Sequence, residues 1–314
     1  MWPFKRTFSL KDTGLFEGFT DWHSHILPSV DDGVRSVERA LEVLDLYASY
    51  GIAQVWFTPH IMEDVPNTTA ALRERFAEFR TRYTGAIELH LAAENMLDGL
   101  FESRLEAGEV LPIGKNGSHL LVETSYYNPP VDLYGILERI KAKGYYPLIA
   151  HPERYLYMEK ADYERLRAGG AKLQLDLFSL VGLYGGDARE KAAWLLARGM
   201  YEAVGTDLHR KEICAEMGGY RLTRSVVESL ERVIRADTLN RSAGRGAPTE
   251  AISKKRHGPA NSVSPARAAY MPEPVRRPVS PPRNSCAAAT ARRHRPNPCP
   301  VRNPDHAGSC RRDS

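Results

Sequence analysis

The chain has 314 residues, 42% of them hydrophobic and 26% charged, with a net charge of +4. That is enough chain to bury one large core or two modest ones, which excludes a peptide hormone or a small disulfide scaffold. No window approaches the roughly 18 uninterrupted apolar residues of a membrane helix, and Met1 to Arg6 lead into no apolar run of signal-peptide length, so the sequence reads as a soluble cytoplasmic protein with room for peripheral work at the inner membrane surface.

Behind an N-terminal extension over residues 1–18, the chain alternates two kinds of segment up to about residue 240. Short apolar or β-rich runs at Phe19 to Trp22, Ala53 to Thr58, Ile87 to Ala93, Leu120 to Thr124, Tyr146 to Ala150, Leu173 to Leu177 and Tyr201 to Gly205 predict seven strands. Helical stripes fall between them. Val37, Ala40, Leu41, Leu44 and Tyr47 follow Ser36 as N-cap, and Leu72, Phe76, Phe79 and Tyr83 keep the same period. Leu133, Ile136, Leu137 and Ile140 follow Asp132, while Asp187 with Glu190 resembles a capping box. Leu222, Val226, Leu230, Val233 and Ile234 make the last stripe. Strand followed by helix, seven times over, predicts a parallel sheet and suits one α/β domain over residues 19–240, a distorted (β/α)7 barrel of TIM type.

Residues 241–314 differ in kind. They carry 15 Lys and Arg against 4 Asp and Glu, whereas residues 1–240 carry 28 against 35, and they hold 12 of the 21 prolines and three of the four cysteines. With Tyr270 as the lone aromatic, such a segment is expected to be a disordered basic tail. Its positive charge would attract polyanions, but no recognition module or interleaved aromatic pattern accompanies it, so no nucleic acid is expected as a partner. Cys286, Cys299 and Cys310 lack CxxC spacing, which leaves no sign of a disulfide framework or zinc ribbon.

The chemistry-bearing residues gather at the strand ends. Strand one runs into Asp21-Trp22-His23-Ser24-His25, where residues i and i+2 point to one side, so two imidazoles can face one metal. Later strands end at His60, Glu94, Glu123, His151-Pro152-Glu153-Arg154 and Asp207-Leu208-His209. Barrel enzymes build sites at this rim, where residues far apart in sequence converge. With Asp32 from the first loop, whose neighbour Asp31 competes for the role, nine nitrogen or oxygen ligands result: His23, His25, Asp32, His60, Glu94, Glu123, His151, Asp207 and His209. That number exceeds what one ion needs and implies two or three ions bridged by carboxylate. Isolated histidines such as His90 and His119 read instead as structural residues with ordinary hydrogen-bond partners.

Together, Asp21-x-His23-x-His25, Thr58-Pro59-His60, Glu94, Glu123, the His-Pro-Glu-Arg run and Gly205-Thr206-Asp207-x-His209 resemble the polymerase and histidinol phosphatase (PHP) superfamily. More narrowly, His25-Ile26-Leu27-Pro28 followed by Asp31-Asp32-Gly33 is similar to the manganese-dependent bacterial protein-tyrosine phosphatases of capsule and exopolysaccharide operons. The resemblance covers residues 19 to about 235 and implies a trinuclear site. His23, His25, Glu94 and Asp207 would hold one ion, Glu94, Glu123 and His151 a second, and Asp32, His60 and His209 a third. Arg154, Asp207 and His209 would be catalytic, with Arg154 gripping the phosphoryl group, and Arg210 and Lys211 stand where the second phosphate-binding Arg is expected. The implied cofactor is Mn, with Fe or Zn as alternatives from the mixed imidazole and carboxylate set.

The implied substrate is a phosphotyrosine protein, the tyrosine-rich tail of a membrane-attached bacterial autokinase. The alternatives are a small phosphoester such as histidinol phosphate, or a non-catalytic metal-stabilised binding module. A homo-oligomer is compatible with the sequence. Tyr126, Tyr127, Phe178 and Tyr184 are candidates to wall the cleft. The thiol route of other tyrosine phosphatases needs five residues between Cys and Arg, whereas six separate Cys214 from Arg221, so that thiol reads as structural.

Overall fold

The structure, a computed structural model, describes residues 6–236 and 238–240. In chain order the elements are β1 (Thr7–Ser9), β2 (Thr20–Ser24), α1 (Val37–Tyr50), β3 (Gln54–Phe57), β4 (His60–Ile61), α2 (Thr69–Arg82), β5 (Glu88–Leu91) and β6 (Glu94–Met96). They continue with α3 (Phe101–Ala107), β7 (His119–Glu123), α4 (Leu133–Ala142), β8 (Tyr146–Ala150), α5 (Lys160–Ala168) and β9 (Lys172–Asp176). The last are α6 (Gly186–Ala197), β10 (Ala203–Gly205), α7 (Lys211–Met217), β11 (Arg221–Thr223) and α8 (Arg224–Ala236). The seven anticipated runs appear as β2, β3, β5, β7, β8, β9 and β10.

The fold is α/β, with parallel strands that curl. Strands β10, β9, β8, β7, β6 and β4 pair side by side, and β2, β3 and β5 form a second sheet. The two sheets share chain segments. After Phe57 the second strand breaks at Thr58-Pro59 and resumes as β4, and after Leu91 the third breaks at Ala92-Ala93 and resumes as β6. Proline lacks the N–H that a ladder needs, so the break at Pro59 falls where pairing must change partner. At the other edges, β2 runs beside β10: Asp207 N donates to His23 O at 2.8 Å, His25 N to Leu208 O at 3.0 Å, and Ser24 bridges Leu208 in parallel.

Helices start where short polar side chains can take up free amides. Ser36 Oγ accepts from Arg39 N, Thr68 Oγ1 from Ala71 N and Asp132 from Gly135 N. The expected capping pair at Asp187 is corrected: α6 begins at Gly186 behind Gly185, and Asp187 sits inside the first turn, where its charge meets the helix dipole rather than an amide. The apolar stripe of α1 packs inward with strand residues such as Val55 and Phe57, as the full burial of Val43, Leu44 and Tyr47 shows. A smaller core lies inside the curl, built from Trp22, Trp56, Ala92, Ile113, Leu121, Leu148, Ala150, Ala203 and Leu239. The rings of Trp22 and Trp56 stack there at 5.5 Å.

Residues 7–13 are integrated into this body, because β1 pairs antiparallel with β11 and Leu10 is fully buried, its amide donating to Tyr220 O at 2.7 Å. Among the described residues no helix is long and apolar enough to cross a membrane. The basic segment 241–314 lies outside the described residues.

Candidate metal centre and phosphate cleft

The carboxyl ends of the parallel strands bring nine predicted residues to one place. Three groupings emerge in which one ligand atom per residue lies within 4.8 Å of the others: His23, His25, Glu94 and Asp207; His25, Asp32, His60 and His209; and His60, Glu94 and Glu123. His25, His60 and Glu94 thus belong to two groups each. His151 lies alongside, its Nε2 2.9 Å from Glu94 Oε1 and 3.9 Å from Glu123 Oε2. His60 stands nearer to Glu123, with Nδ1 at 3.0 Å from Oε1.

Local backbone devices aim these groups. The pairing of β2 with β3 slips between Asp21 and Ser24, a bulge of the kind that re-aims side chains. Asp21 itself is tied elsewhere, accepting from Thr206 N, the Thr206 hydroxyl and the Tyr47 hydroxyl at 2.8, 2.7 and 2.9 Å. It therefore staples strand β2 to the end of β10. Burial raises its pKa to about 6 against those hydrogen bonds. Two glycines are required by close approach: a Cβ on Gly33 would lie 2.2 Å from His25 O, and one on Gly205 would lie 2.4 Å from His23 Cβ. His151 and Asp207 hold left-handed backbone, at φ 31° and 48°. Neither is glycine, so each carries strain of the kind that concentrates at functional sites.

Partners of the outer ring nitrogens fix the tautomers. His23 Nδ1 faces Gln174 Oε1 at 2.9 Å, and the Gln174 amide nitrogen donates to Leu175 O, so Nδ1 is the donor. His25 Nδ1 donates to Asp31 Oδ2 at 2.8 Å, and His209 Nδ1 to Asp207 O at 2.8 Å. In their neutral forms His23 and His25 consequently turn their inner Nε2 lone pairs toward each other across 3.1 Å. Glu94 Oε2 adds to the same point, 3.2 Å from His23, 3.3 Å from His25 and 3.1 Å from His60, yet it is buried without a hydrogen bond. So is Asp207 Oδ1. Acceptors facing acceptors in a buried spot are costly unless a cation sits between them, so the donor set fits divalent metal.

The field tells the same story. Burial pulls the His23 pKa down, but Glu94 and Asp207 outweigh it and raise it to about 9. Conversely, burial opposes ionisation of Glu94 and Asp207, while His23 and, for Asp207, Arg154 hold both well below the usual carboxylate range. A site that draws protons this strongly draws metal cations for the same reason.

The choice between Asp31 and Asp32 resolves into two positions. Asp31 is buried behind His25, and its carboxylate also accepts from Gly33 N and His60 N at 3.0 and 3.1 Å. Asp32 faces the cleft, its Oδ1 3.3 Å from His209 Nε2 and 3.6 Å from His60 Nε2.

Arg154 closes one side. Its guanidinium contacts Asp207 and Asp176, the latter at 3.3 Å, donates to the Tyr126 hydroxyl at 2.5 Å, and lies over the rings of Tyr126 and Tyr184 at 4.9 and 4.0 Å. Asp176, at the end of β9, is the residue that the sequence reading missed. Burial holds it well above the usual carboxylate range against the pull of Arg154, and it also accepts from Phe178 N at 2.8 Å. Glu153 is likewise inward, accepting from Asp176 N and the Tyr201 hydroxyl at 3.0 Å each. The cleft has about 460 Å³, and Tyr126, Leu183, Tyr184, Arg210 and Ile213 line it beside the cluster. Phe178 is corrected: it is buried against Tyr220 in the core, and Tyr127 points to solvent. Lys211 is engaged with Glu42 at 2.6 Å, whereas Arg210 faces the cleft.

His90 and His119 lie apart from the cluster. His90 stacks on Trp56 at 4.6 Å, and His119 opens β7 beside Tyr146. Cys214 is a buried free thiol whose pKa burial pushes up to about 12, which leaves no thiolate for a covalent route.

The chain is similar to known proteins. A family model described as capsular polysaccharide synthesis, CpsB/CapC, matches residues 19–217. The putative tyrosine-protein phosphatase CapC of Staphylococcus aureus is 24% identical over 254 residues, spanning 75% of this chain and 97% of its own. The tyrosine-protein phosphatase YwqE of Bacillus subtilis is 26% identical over 239 residues, spanning 70% of this chain and 93% of its own. Among solved structures, one reported for YwqE from B. subtilis and CpsB from Streptococcus pneumoniae, described as unique metal-dependent tyrosine phosphatases, matches with a TM-score of 0.57 and 25% identity over 71% of this chain and 97% of that one.

Proposed function

Because the chain belongs to the CpsB/CapC family, we propose that it is a metal-dependent protein-tyrosine phosphatase of capsule or exopolysaccharide synthesis. The observation that carries this reading is the convergence of bare imidazole and carboxylate lone pairs beside a buried, always-charged Arg154 in one cleft. His23, His25, Glu94 and Asp207 would hold one ion, Asp32, His60 and His209 with His25 another, and Glu123 with Glu94, His60 and His151 the third. Manganese is the ion assigned, with iron or zinc as alternatives from the same donors. Divalent ions in such a site acidify water and neutralise charge on the phosphoryl oxygens.

The protein's own part is positioning. Arg154 offers two parallel N–H donors to phosphoryl oxygens, and Asp176, Tyr126 and Tyr184 keep its plane fixed. Arg210 supplies a second positive charge at the mouth. Asp207 and His209 act at the reacting centre, with the Asp207 carbonyl orienting the imidazole through Nδ1. A phenol, whose pKa is about 10, leaves with modest assistance, which suits a site without a dedicated strong acid.

The same reading takes the curled sheets as a single seven-unit barrel over residues 19–240, supported by the contacts of β2 with β10. It places the protein in the cytoplasm, acting on the tyrosine-rich tail of a membrane-attached autokinase, with residues 241–314 dispensable for turnover and nucleic acid no part of its work. Self-association is compatible with it. The test is phosphate release from a phosphotyrosine peptide and from histidinol phosphate by chelated protein with Mn, Zn or no metal restored. Metal-dependent turnover of the peptide, lost in His151→Ala, is the expected result. Turnover of histidinol phosphate alone would move the protein to small-molecule chemistry, and metal binding with silence on both substrates would make it a binding module.

A further inference from the structure

Large exposed apolar side chains are not scattered over this protein. Among the described residues they are Leu100, Tyr127, Val131, Leu156 and Leu183, and all five fall in loops that follow a parallel strand and precede a helix. Three of those four loops supply residues that line the metal and phosphate cleft: Tyr126, His151 with Arg154, and Leu183 with Tyr184. Tyr127 is 71% exposed and Leu156 is 55% exposed. The two are linked to the cleft wall by the chain itself: Tyr127 follows Tyr126, and Leu156 N donates to Tyr126 O at 2.8 Å. Leu183 continues the same wall next to Tyr184. Solvent-facing aromatic and aliphatic groups gathered at the mouth of a charged cleft mark a contact surface rather than random exposure.

We propose that Tyr127 and Leu156, continuing the cleft wall of Tyr126, Leu183 and Tyr184, dock apolar or aromatic side chains that flank the phosphotyrosine in an extended peptide. This rests on the phosphatase reading and sharpens its substrate: a chain, engaged on both sides of the reacting residue, rather than a small phosphoester. The favoured occupant is a peptide and not a lipid surface because of charge. The four loops contain no Lys or Arg except Arg154, which is committed to the cleft by Asp207, Asp176 and Tyr126. An anionic bilayer would find no free cation on them to hold its headgroups. The loop after β7 also contains Pro129-Pro130, which limits how far it can collapse onto the core and keeps Tyr127 presented.

The experiment uses the full chain loaded with Mn, with two phosphotyrosine peptides of equal length and net charge. One has Leu, Val and Tyr around the phosphotyrosine, the other Ser and Gly. Steady-state kcat/KM is read alongside fluorescence anisotropy of labelled peptide, and p-nitrophenyl phosphate serves as a substrate without flanks. The expected result is a preference of roughly tenfold for the apolar peptide, the size that one buried apolar side chain supplies. In Tyr127→Ser/Leu156→Ser that preference falls to about one, and turnover of p-nitrophenyl phosphate is unchanged. Equal handling of both peptides by the wild type overturns the proposal, as does a preference that survives in the variant. Co-sedimentation with phosphatidylserine vesicles that the variant loses, without any peptide preference, would assign the strip to a membrane instead. Binding preference in a protein that turns over none of the substrates would keep the docking strip and reject the phosphatase reading.

Discussion

Arg154 is where a single residue decides most. Its fork lies between two carboxylates and two aromatic rings, an arrangement that a lysine point charge cannot reproduce. Arg154→Lys is expected to lower kcat/KM by about 10² or more while leaving bound metal unchanged, the first read by phosphate release and the second by elemental analysis. Asp176→Asn should behave differently, because it touches Arg154 and not the substrate. Raised KM for phosphopeptide and weaker inhibition by inorganic phosphate, with kcat retained, would mark a positioning role, whereas an equal fall in kcat would contradict it. Asp176 was illegible in the sequence because a carboxylate at the end of an apolar strand, with no His near it, looks like a helix cap, and it does also cap the following turn. Asp31 and Asp32 were indistinguishable for a related reason: adjacent residues point to opposite sides, and only the path of the loop shows which one backs His25 and which meets His209.

A third prediction at this scale concerns acid stability. Burial lowers the His119 pKa to about 4, below the value of about 6.5 that the unfolded chain has. The folded state therefore excludes a proton that the unfolded state binds, so the contribution is intact above pH 6.5 and lost as pH falls toward 4, at most about 3 kcal/mol. Urea unfolding at pH 7.5, 5.5 and 4.5 should show a shallower acid loss in His119→Gln than in the wild type. Parallel profiles would refute the assignment.

At the level of elements, alternation was easy to read because each strand is a brief apolar or β-rich run between capped amphipathic helices. What the pattern hid were the breaks. Strands two and three each split into two pieces at Thr58-Pro59 and Ala92-Ala93, and it is the second pieces, β4 and β6, that begin with His60 and Glu94. A break lets one chain segment pair with two neighbours in turn, which hydrophobic periodicity does not encode. The strand β1 was hidden too, since three residues are too few to show a period. Its contribution is testable through Leu10, fully buried where the N-terminal segment meets the β11 side of the body. Leu10→Ala should cost about 2–4 kcal/mol in urea unfolding without changing kcat, because it lies outside the cleft. A cost below about 0.5 kcal/mol would show that the N-terminal segment is merely laid on the surface.

For the molecule as a whole, the charged rim and the apolar interior lie one above the other within a single curl. Leu239 belongs to that interior, with its carbonyl accepting from Lys115 N at 3.3 Å and the neighbouring Thr238 hydroxyl donating to Glu202 O at 2.9 Å. A chain ending at Ala236 is therefore expected to melt lower than one ending at Asn240, while the latter keeps full phosphatase activity. Equal melting temperatures would deny Leu239 its part in the core, and loss of activity on removing residues 241–314 would give those residues a role that composition alone does not suggest.

The left-handed backbone at His151 and Asp207 sets a limit on what heat selection can achieve here. Glycine would relax the backbone at either position, but it would also remove the His151 contact to Glu94 or leave buried Arg154 without Asp207. The strain therefore stays for as long as the site does, and a variant that relaxed it would be a protein that no longer releases phosphate.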